Sequence, residues 1–306
     1  MTVTRAQFRD LLGQDEAQAF PFEFIDAHER VSRRLAPPAT NLGSGRGRFW
    51  ELLSRIEPLV ASNASIIDFG AYPGTLLRLI RSLPQGERAR LAAAGFSFSH
   101  EFECALGQLG IRLVEMEFDA RRGPNGAESH ILTRAVDELF DVAVCTEVIE
   151  HQFQPLVLCA GMNRFLADGG KLLLTTNSAG FIGDVLKLVS GRHNVESLER
   201  SHVLADHEWR PHIRLYTLPE IRKILELCGF EVEEGFYFDN GSVYRGAKGT
   251  AMSALRRAAG MVPHMRSHLW VKARKIGDPT HDACERIQRT CELYGVSTGA
   301  LSALGA

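Results

Sequence analysis

The stretch SIIDFGAYPGTLLRLI (Ser65 to Ile80) holds residues suited to binding a ligand through the backbone. Its apolar start ends in Asp68, a turn with Gly70 and Gly74 follows, and a helical pattern of leucines comes directly after. Glycines let a ligand approach the backbone closely, and the free N–H groups at a helix start favour negative charge. The stretch therefore indicates a site for a cofactor with a small anionic group; an ordinary strand-to-helix turn is the alternative.

A second group of side chains that could do chemistry lies in the run Glu147-Val148-Ile149-Glu150-His151. Residues three or four positions apart share a face of a helix or turn, so its two carboxylates and its imidazole are predicted to converge. Such groups are ligands for a divalent cation, and His212, from a later polar segment, is predicted to complete the set. The spacing thus makes Glu147, Glu150, His151 and His212 candidate metal ligands; structural roles without any metal are the alternative.

Alternating strand and helix patterns from Ile66 onward must position both groups. The predicted strands are Ile66–Phe69, Arg90–Phe96, Ile111–Phe118, Leu139–Cys145, Gly170–Thr176, Phe230–Tyr237 and His268–Lys275. Strands separated by helices indicate an α/β fold with a doubly wound, seven-stranded, mostly parallel sheet, and pairing of the last two strands would make its edge mixed. Ligands bind at the carboxyl ends of the strands in such sheets, where Asp68, Asp119 and Glu147 fall.

The remaining signals divide the chain into three parts. Residues 1–60 are predicted to form an N-terminal helical cap, with Phe20 to Ile25 in its helical part and a second helix that begins after Gly45. Residues 61–277 form the sheet domain, in which about 180–213 is a polar insertion or poorly ordered loop, and 278–306 form a C-terminal helical tail. Packing against the sheet is the simplest role for the cap; a lid formed by Arg46, Arg48 and Trp50 is the alternative.

Composition places the 306-residue chain among ordinary globular proteins. It is 45% hydrophobic and 24% charged, and its formal net charge of -2 gives no overall attraction to nucleic acid or anionic membranes. Six scattered cysteines lack paired zinc spacing and fit reduced thiols. Because no signal peptide or membrane-spanning run is evident, we expect a cytoplasmic protein.

Four motifs, in order, resemble those of the class I S-adenosylmethionine-dependent methyltransferases, over roughly Ile66 to Lys275. They are DFGAYPG (Asp68–Gly74), FDVAVCTEVIEH (Phe140–His151), LADGGKLLLTTN (Leu166–Asn177) and RLYTLPEIRKILELCGFEVEE (Arg214–Glu234). The resemblance implies a Rossmann-like methyltransferase fold, S-adenosylmethionine as cofactor and methyl transfer to an oxygen or nitrogen of a small-molecule substrate.

The same resemblance implies cofactor-binding roles. Gly70 and Gly74 would contact the methionine moiety, and Asp68 would hold the turn and, through water, the ammonium group. Asp119 would accept from the adenine amino group while Phe118 packs on the ring. The residues beside the sulfonium would be Cys145, Thr146 and Glu147.

Two positions depart from the family pattern. Tyr72 stands where a second glycine is frequent, so an aromatic ring is expected to close the turn. Ser97 stands where an acidic residue usually binds both ribose hydroxyls, and a hydroxyl can make only part of that contact. Glu101 is the candidate to compensate; weak cofactor binding or a different cofactor are the alternatives.

Methyl transfer from a sulfonium is an in-line displacement, which needs a base only when the acceptor is a poorly acidic hydroxyl. The candidate catalytic bases are His151, His212 and Glu150. These residues, with Glu147, are also similar to the metal site of the small-RNA 2'-O-methyltransferases, so a metal-assisted RNA methyltransferase is one alternative function. A non-catalytic binding protein with the methyltransferase fold is another.

The acceptor is predicted from weaker signals. Because no basic stripe with interleaved aromatics is evident, nucleic acid is disfavoured as a partner. Gly241 to Gly277 has no acidic residue but eight lysines and arginines, which indicates a solvated basic face or a docking patch for an anionic substrate or a membrane surface. A small polar or anionic acceptor fits best, such as a sugar, a glycolipid or a secondary metabolite.

Overall fold

The computed structural model describes residues 3–17, 20–25, 31–36, 39–60, 63–96, 98–119, 130–133, 136–195, 210–240, 254 and 257–295. The helices described there are α1 (Arg5–Ala17), α2 (Ala39–Ile56), α3 (Thr75–Arg81), α4 (His100–Gln108), α5 (Pro155–Phe165), α6 (Ile182–Val189), α7 (Leu218–Leu227) and α8 (His281–Tyr294). The strands are β1 (Phe20–Ile25), β2 (Val31–Ala36), β3 (Ser65–Phe69), β4 (Arg90–Gly95), β5 (Arg112–Glu115), β6 (Phe140–Thr146), β7 (Leu166–Asn177), β8 (Phe230–Phe238) and β9 (His268–Lys275). Among these helices, none has the length and apolarity needed to cross a membrane.

Seven strands form one sheet in the order β5-β4-β3-β6-β7-β9-β8. The pairs from β5 to β7 are parallel, whereas β9 runs antiparallel to both β7 and β8. The predicted doubly wound, mostly parallel sheet with a mixed edge is therefore confirmed. The chain moves outward from β3 to β5 and returns to the other side of β3 as β6, so the crevice expected for a ligand opens between the carboxyl ends of β3 and β6.

Apolar side chains cover the two faces of this sheet in separate layers. Ile66 packs on one face with Leu52 of α2 and Leu76 of α3, whereas Ile67 packs on the other face with residues of α5, α7 and α8. The strand alternation of two residues explains this division. Asp68 follows the same alternation and shares the face of Ile66, on the side of α2.

The N-terminal segment differs from the predicted helical cap. Phe20–Ile25 and Val31–Ala36 pair as an antiparallel hairpin between α1 and α2, so the prediction that Phe20 to Ile25 belongs to a helical part was wrong. The sequence FPFEFI alternates aromatic and other residues and contains a proline, which favours a strand over a helix. Helix α2 also begins earlier than predicted, at Ala39, and so includes the Gly43-Ser44-Gly45 segment that was expected to precede it.

Two predicted regions fall partly outside the described residues. The insertion begins with α6, residues 196–209 lie outside the described part, and the chain is described again from Arg210. Of the basic segment Gly241 to Gly277, residues 241–253, 255 and 256 lie outside it, as does the side chain of Arg46.

Candidate active site

The turn after β3 places a buried carboxylate beside two glycines with left-handed backbone. Gly70 has φ +79° and Gly74 has φ +81°, values that L side chains rarely adopt. Asp68 is 3% exposed, and its Oδ1 has no hydrogen-bond partner among the described residues. Buried polar atoms are normally bonded, so this oxygen indicates a place for a ligand donor or an ordered water.

Burial raises the pKa of Asp68 to about 7, and the nearby positive charge of Arg48 opposes that rise. Arg48 comes from α2, and its backbone N donates to Asn240 Oδ1 at 3.1 Å. Its guanidinium Nη1 also lies 3.4 Å from Oε2 of Glu147. Arg48 therefore links the carboxylate at the end of β3 electrostatically to the one that follows β6.

Glu147 is the best-connected carboxylate of the site. It has φ +55°, an uncommon conformation for a residue with a side chain, directly after β6. Thr175 Oγ1 donates to its Oε1 at 2.9 Å, Asn177 Nδ2 donates to its Oε2 at 3.2 Å, and His268 Nε2 lies 3.1 Å from Oε2. Burial alone would raise the pKa of Glu147, but His268, Arg48 and these hydrogen bonds hold it well below its usual range. Glu147 is therefore ionised.

Glu150 has the opposite electrostatic character. It is fully buried; Thr176 Oγ1 donates to its Oε2 at 2.7 Å and Asn177 Nδ2 to its Oε1 at 2.9 Å. Burial and then the negative charge of Glu147 raise the pKa of Glu150 to about 8, against the two hydrogen bonds. The amide of Asn177 thus bridges two carboxylates whose environments drive their pKa values apart.

The two predicted histidines lie together beside Glu150. Ligand atoms of Glu150, His151 and His212 all lie within 4.8 Å of one another, and the two imidazole rings are 4.7 Å apart. His151 Nδ1 is 3.1 Å from the Pro211 carbonyl oxygen, which can only accept, so Nδ1 carries the hydrogen and Nε2 has the lone pair when the ring is neutral. Glu147, predicted as a fourth metal ligand, is not part of this group.

Cys145 and Thr146 are placed differently from each other. Cys145 is fully buried in the apolar core on the face of α5, where burial raises the pKa of its thiol well above the ordinary value. Thr146, the next residue, is partly exposed. The strand alternation sends the two side chains to opposite faces, so Cys145 belongs to the core of the protein.

Asp119 lies at the edge of the site beside β4 and β5, and its carboxylate already accepts hydrogen bonds from other residues of the protein. Phe153 N and Gln154 N donate to its carboxylate at 3.2 and 3.0 Å, and Arg210 Nη1 donates at 2.9 Å. Burial raises the pKa of Asp119, although Arg210 and the two N–H donors oppose this. The expected contact with an adenine amino group would therefore require Asp119 to exchange or share these donors.

The other residues predicted at this edge are aromatic or undescribed. Phe118 is buried edge-to-face against Phe69, with ring centroids 6.0 Å apart, and Ser97 lies outside the described residues. Tyr72 packs against Phe102 of α4 at 5.3 Å between centroids, next to a cis Tyr72–Pro73 peptide bond. The ring expected to close the turn therefore contacts α4.

Three residues of the site, His268, Asn177 and Arg210, were not predicted from the sequence. His268 had a usable signal: it begins a strand predicted to pair in antiparallel fashion, and the first residue of such a strand lies at the carboxyl ends of its parallel neighbours. Asn177 is the last residue of the motif LADGGKLLLTTN, one of the four that resemble motifs of the methyltransferase family. Arg210 lies in the polar insertion, where no local pattern distinguishes it from other charged residues.

Comparisons with known proteins identify the family to which the chain belongs. A sequence model of the family described as "Methyltransferase domain" matches residues 41–234. No curated protein matches the chain. A structure of the Haloferax volcanii Trm112 methyltransferase activator with a protein assigned as a methyltransferase is similar, with a TM-score of 0.50, 14% identity, and coverage of 79% of this chain and 96% of the matched one.

Two further solved structures show similarity at low identity. An S-adenosylmethionine dependent methyltransferase from Mesorhizobium loti is 16% identical with a TM-score of 0.47, over 74% of this chain and 96% of that one. The N-methyltransferase NodS from Bradyrhizobium japonicum, in complex with S-adenosyl-L-homocysteine, is 15% identical with a TM-score of 0.41, over 75% and 86%. The family model matches more than half of the 306 residues and includes the turn at Asp68 and the carboxylates after β6. The chain therefore belongs to this methyltransferase family and is a class I S-adenosylmethionine-dependent methyltransferase.

Proposed function

We propose that the protein methylates an oxygen or nitrogen of a small polar or anionic molecule, such as a sugar, a glycolipid or a secondary metabolite. The observation that carries the proposal is the pair of carboxylates formed by the buried Asp68 and the partly buried Glu147, joined electrostatically by Arg48 at the switch point of the sheet. Polar groups that converge in such a crevice are typical of small-molecule sites.

The residues at the end of β3 fit the cofactor. Bound S-adenosylmethionine supplies an electrophilic sulfonium methyl group. Asp68, with its unpartnered Oδ1, would accept a hydrogen bond from the methionine half directly or through water, and Gly70 and Gly74 would form the backbone beside it. A buried carboxylate that gains a charged donor recovers part of its desolvation cost, so the site is suited to an ammonium group.

The residues after β6 and β7 fit a polar acceptor. Ionised Glu147 would accept from hydroxyl or amino groups, and Arg48 beside it would donate to an acceptor that carries negative charge. For a hydroxyl acceptor we favour His151 as the base among the three candidates, because its Nδ1–H bond to Pro211 fixes the orientation and the tautomer of the ring. His212 and Glu150 are its immediate neighbours.

Calorimetric titration with S-adenosylmethionine and S-adenosylhomocysteine is the direct test. We expect binding of one equivalent of each, and then transfer of methyl mass to a metabolite when protein and cofactor are incubated with a cell extract. The mass of the product fragments identifies the methylated atom. Absence of binding at millimolar cofactor would contradict the proposal and favour the alternative of a non-catalytic protein.

A divalent cation held by Glu150, His151 and His212 is a second candidate component of this site. It is supported by the ligand atoms of the three residues, which lie within 4.8 Å of one another. Hydrogen bonds also orient two of them: His151 Nδ1 donates to the Pro211 carbonyl, and Glu150 accepts from Thr176 and Asn177. Carbonyl and hydroxyl partners of this kind orient metal ligands in proteins.

Metal titration of the chelator-treated protein tests this candidate. If the cation is part of the site, Mn²⁺ or Zn²⁺ should bind with one equivalent, and Glu150→Gln or His212→Gln should weaken that binding by about tenfold or more. His193→Gln, which changes an exposed histidine of the insertion, is the matched control and should bind like the wild type. Turnover that is unaffected by chelator, together with no metal binding, would end this candidate.

A further inference from the structure

The segment from Arg210 to Tyr216, called the strap below, crosses the carboxyl ends of β6 and β7. Ile213 N donates to the Glu150 carbonyl at 2.8 Å, and Ala179 N donates to the Tyr216 carbonyl at 2.8 Å. These bonds attach the main chain of the strap to the residues that follow both strands. The strap therefore forms one wall of the candidate active site.

His212 is the strap residue that lies closest to the candidate catalytic groups. The centroids of the His212 and His151 rings are 4.7 Å apart. The Nδ1–H of His151 donates to the Pro211 carbonyl of the strap at 3.1 Å. Main-chain hydrogen bonds hold the part of the strap that follows Pro211. Among the described residues, they do not hold its first residue, where the strap enters the site. The entry point is Arg210, two residues before His212.

Arg210 is anchored by its side chain to groups from three parts of the chain. Its Nη1 donates to Asp119 Oδ2 at 2.9 Å and to Gln152 Oε1 at 2.9 Å, and its Nη2 donates to Glu117 Oε1. The guanidinium also lies over the ring of Phe96, 4.9 Å from its centroid. The side chain is only 9% exposed, so these ionic contacts are shielded from water and salt.

The contact partners of Arg210 connect it to the segments that carry His151 and His212. Glu117 and Asp119 follow β5, and Gln152 is the neighbour of His151, with its own Nε2 bonded to the Val148 carbonyl at 3.1 Å. One guanidinium thus joins the end of β5, the neighbour of His151 and the strap that carries His212. Only a planar group with several donors in fixed directions makes all three contacts, and a lysine ammonium cannot reproduce them.

We propose that Arg210 is a positioning residue of the active site, whose contacts with Glu117, Asp119 and Gln152 hold His212 against His151. The effect on turnover rests on the proposed methyl transfer, whereas the placement of His212 does not. The bonds of Pro211 and Ile213 hold the main chain on either side of His212, and Arg210 adds the attachment that fixes where the strap enters the site. Loss of this anchor moves His212, and small displacements of such groups are costly to rate. It also leaves the buried Glu117 and Asp119 without their cation, so the free energy of unfolding of each variant is measured alongside turnover.

Three variants test the proposal. Arg210→Gln removes the ionic contacts of the anchor. Arg210→Lys keeps the positive charge but lacks the planar guanidinium with its several donors. Arg214→Gln is the matched control in the same strap. Arg214 is exposed and pairs with Glu220 on the surface. The imidazole NMR signals of His212, assigned by their loss in His212→Gln, report its distance from the ring of His151.

In Arg210→Gln we expect the His212 signals to move towards those of the exposed His193, with Arg210→Lys in between and Arg214→Gln unchanged. Turnover in the extract assay should fall by roughly 10- to 100-fold in Arg210→Gln and less in Arg210→Lys. Because Arg210 also donates to Asp119, the dissociation constant for S-adenosylhomocysteine is measured separately, and the loss attributed to His212 is the fall in turnover that persists at saturating S-adenosylmethionine.

Unchanged His212 signals in Arg210→Gln, or turnover equal to the wild type, would overturn the proposal. A fall in turnover that saturating S-adenosylmethionine fully restores would also overturn it, because Arg210 would then act only through the cofactor. If Arg210→Gln does not fold, Arg210→Lys gives the same readouts. Failure of the wild type to bind cofactor contradicts the proposed function but leaves the His212 measurement readable.

Discussion

Asp68→Asn is expected to weaken S-adenosylmethionine binding by about tenfold or more and, at about pH 8, to make the protein more stable than the wild type. The two effects have opposite signs because one carboxylate serves binding at the expense of folding. Asp68 is buried, and burial raises its pKa to about 7 despite the opposing charge of Arg48. Functional residues often carry such a cost in stability.

The sign of the pH dependence follows from proton binding. In the unfolded chain Asp68 has an ordinary pKa of about 3.9, so between about pH 4 and pH 7 the folded protein holds a proton that the unfolded chain has released. The contribution of Asp68 to stability therefore falls as the pH rises through this window. Above it, the buried charge costs on the order of 4 kcal/mol, which asparagine avoids.

The measurement is the free energy of unfolding of wild type and Asp68→Asn from about pH 4 to pH 8, taken as a difference so that other titrating groups cancel. The difference should be near zero at the acid end and favour the variant increasingly towards pH 8. Asp184→Asn, which removes a carboxylate paired with Lys187 on the surface of α6, is the control and should show neither effect. A difference that does not depend on pH, or unchanged cofactor binding, would contradict the assignment of Asp68.

Sequence patterns predicted the parts of the structure that depend on local chemistry. The capping pair Thr217 and Glu220 marked the start of α7, where Thr217 N donates to Glu220 Oε2 at 2.9 Å. The turn at Asp68 was predicted because an apolar strand, glycines and a leucine helix are adjacent in the chain. Each of these features is complete within a few residues, so the sequence contains all of its determinants.

The electrostatic character of the site could not be predicted in this way. Glu147 owes its low pKa to Arg48 and His268, which lie about a hundred residues before and after it in the chain. Asp119 was assigned to the cofactor from its position, but Arg210, 91 residues away, is one of its actual donors. Spacing within a motif does not carry information about such partners, because the sheet order and the path of the strap decide them.

Gly70→Ala is expected to destabilise the protein by about 2 to 5 kcal/mol, the largest stability effect expected for a single methyl group near the site. Two terms add. The backbone at φ +79° strains any L side chain, and the added Cβ would lie 2.3 Å from Cγ2 of Val148. Gly169→Ala separates the backbone strain from the steric clash. Gly169 has φ +76° but open space where a Cβ would lie, so its substitution should lower the free energy of unfolding only by the cost of the backbone strain.

The double variant Gly70→Ala/Val148→Ala tests the steric term directly. Removing the methyl groups of Val148 makes room for the new Cβ, so the double variant should be more stable than the sum of the two single changes predicts, by about 1 to 3 kcal/mol. Additive effects, measured by denaturant unfolding, would mean that the turn does not press on Val148.

The effect of Gly70→Ala and of the double variant on turnover follows from the position of Val148, which directly follows Glu147 in the chain and precedes Glu150. In Gly70→Ala the clash pushes on this segment, and the segment carries the carboxylate that Arg48, His268, Thr175 and Asn177 hold in place. Turnover should therefore fall more in Gly70→Ala than its loss of stability explains, and the double variant should recover part of it. The glycine after β3 thus meets two requirements: its backbone adopts the left-handed conformation of the turn, and its missing side chain lets that turn pack against Val148, next to Glu147.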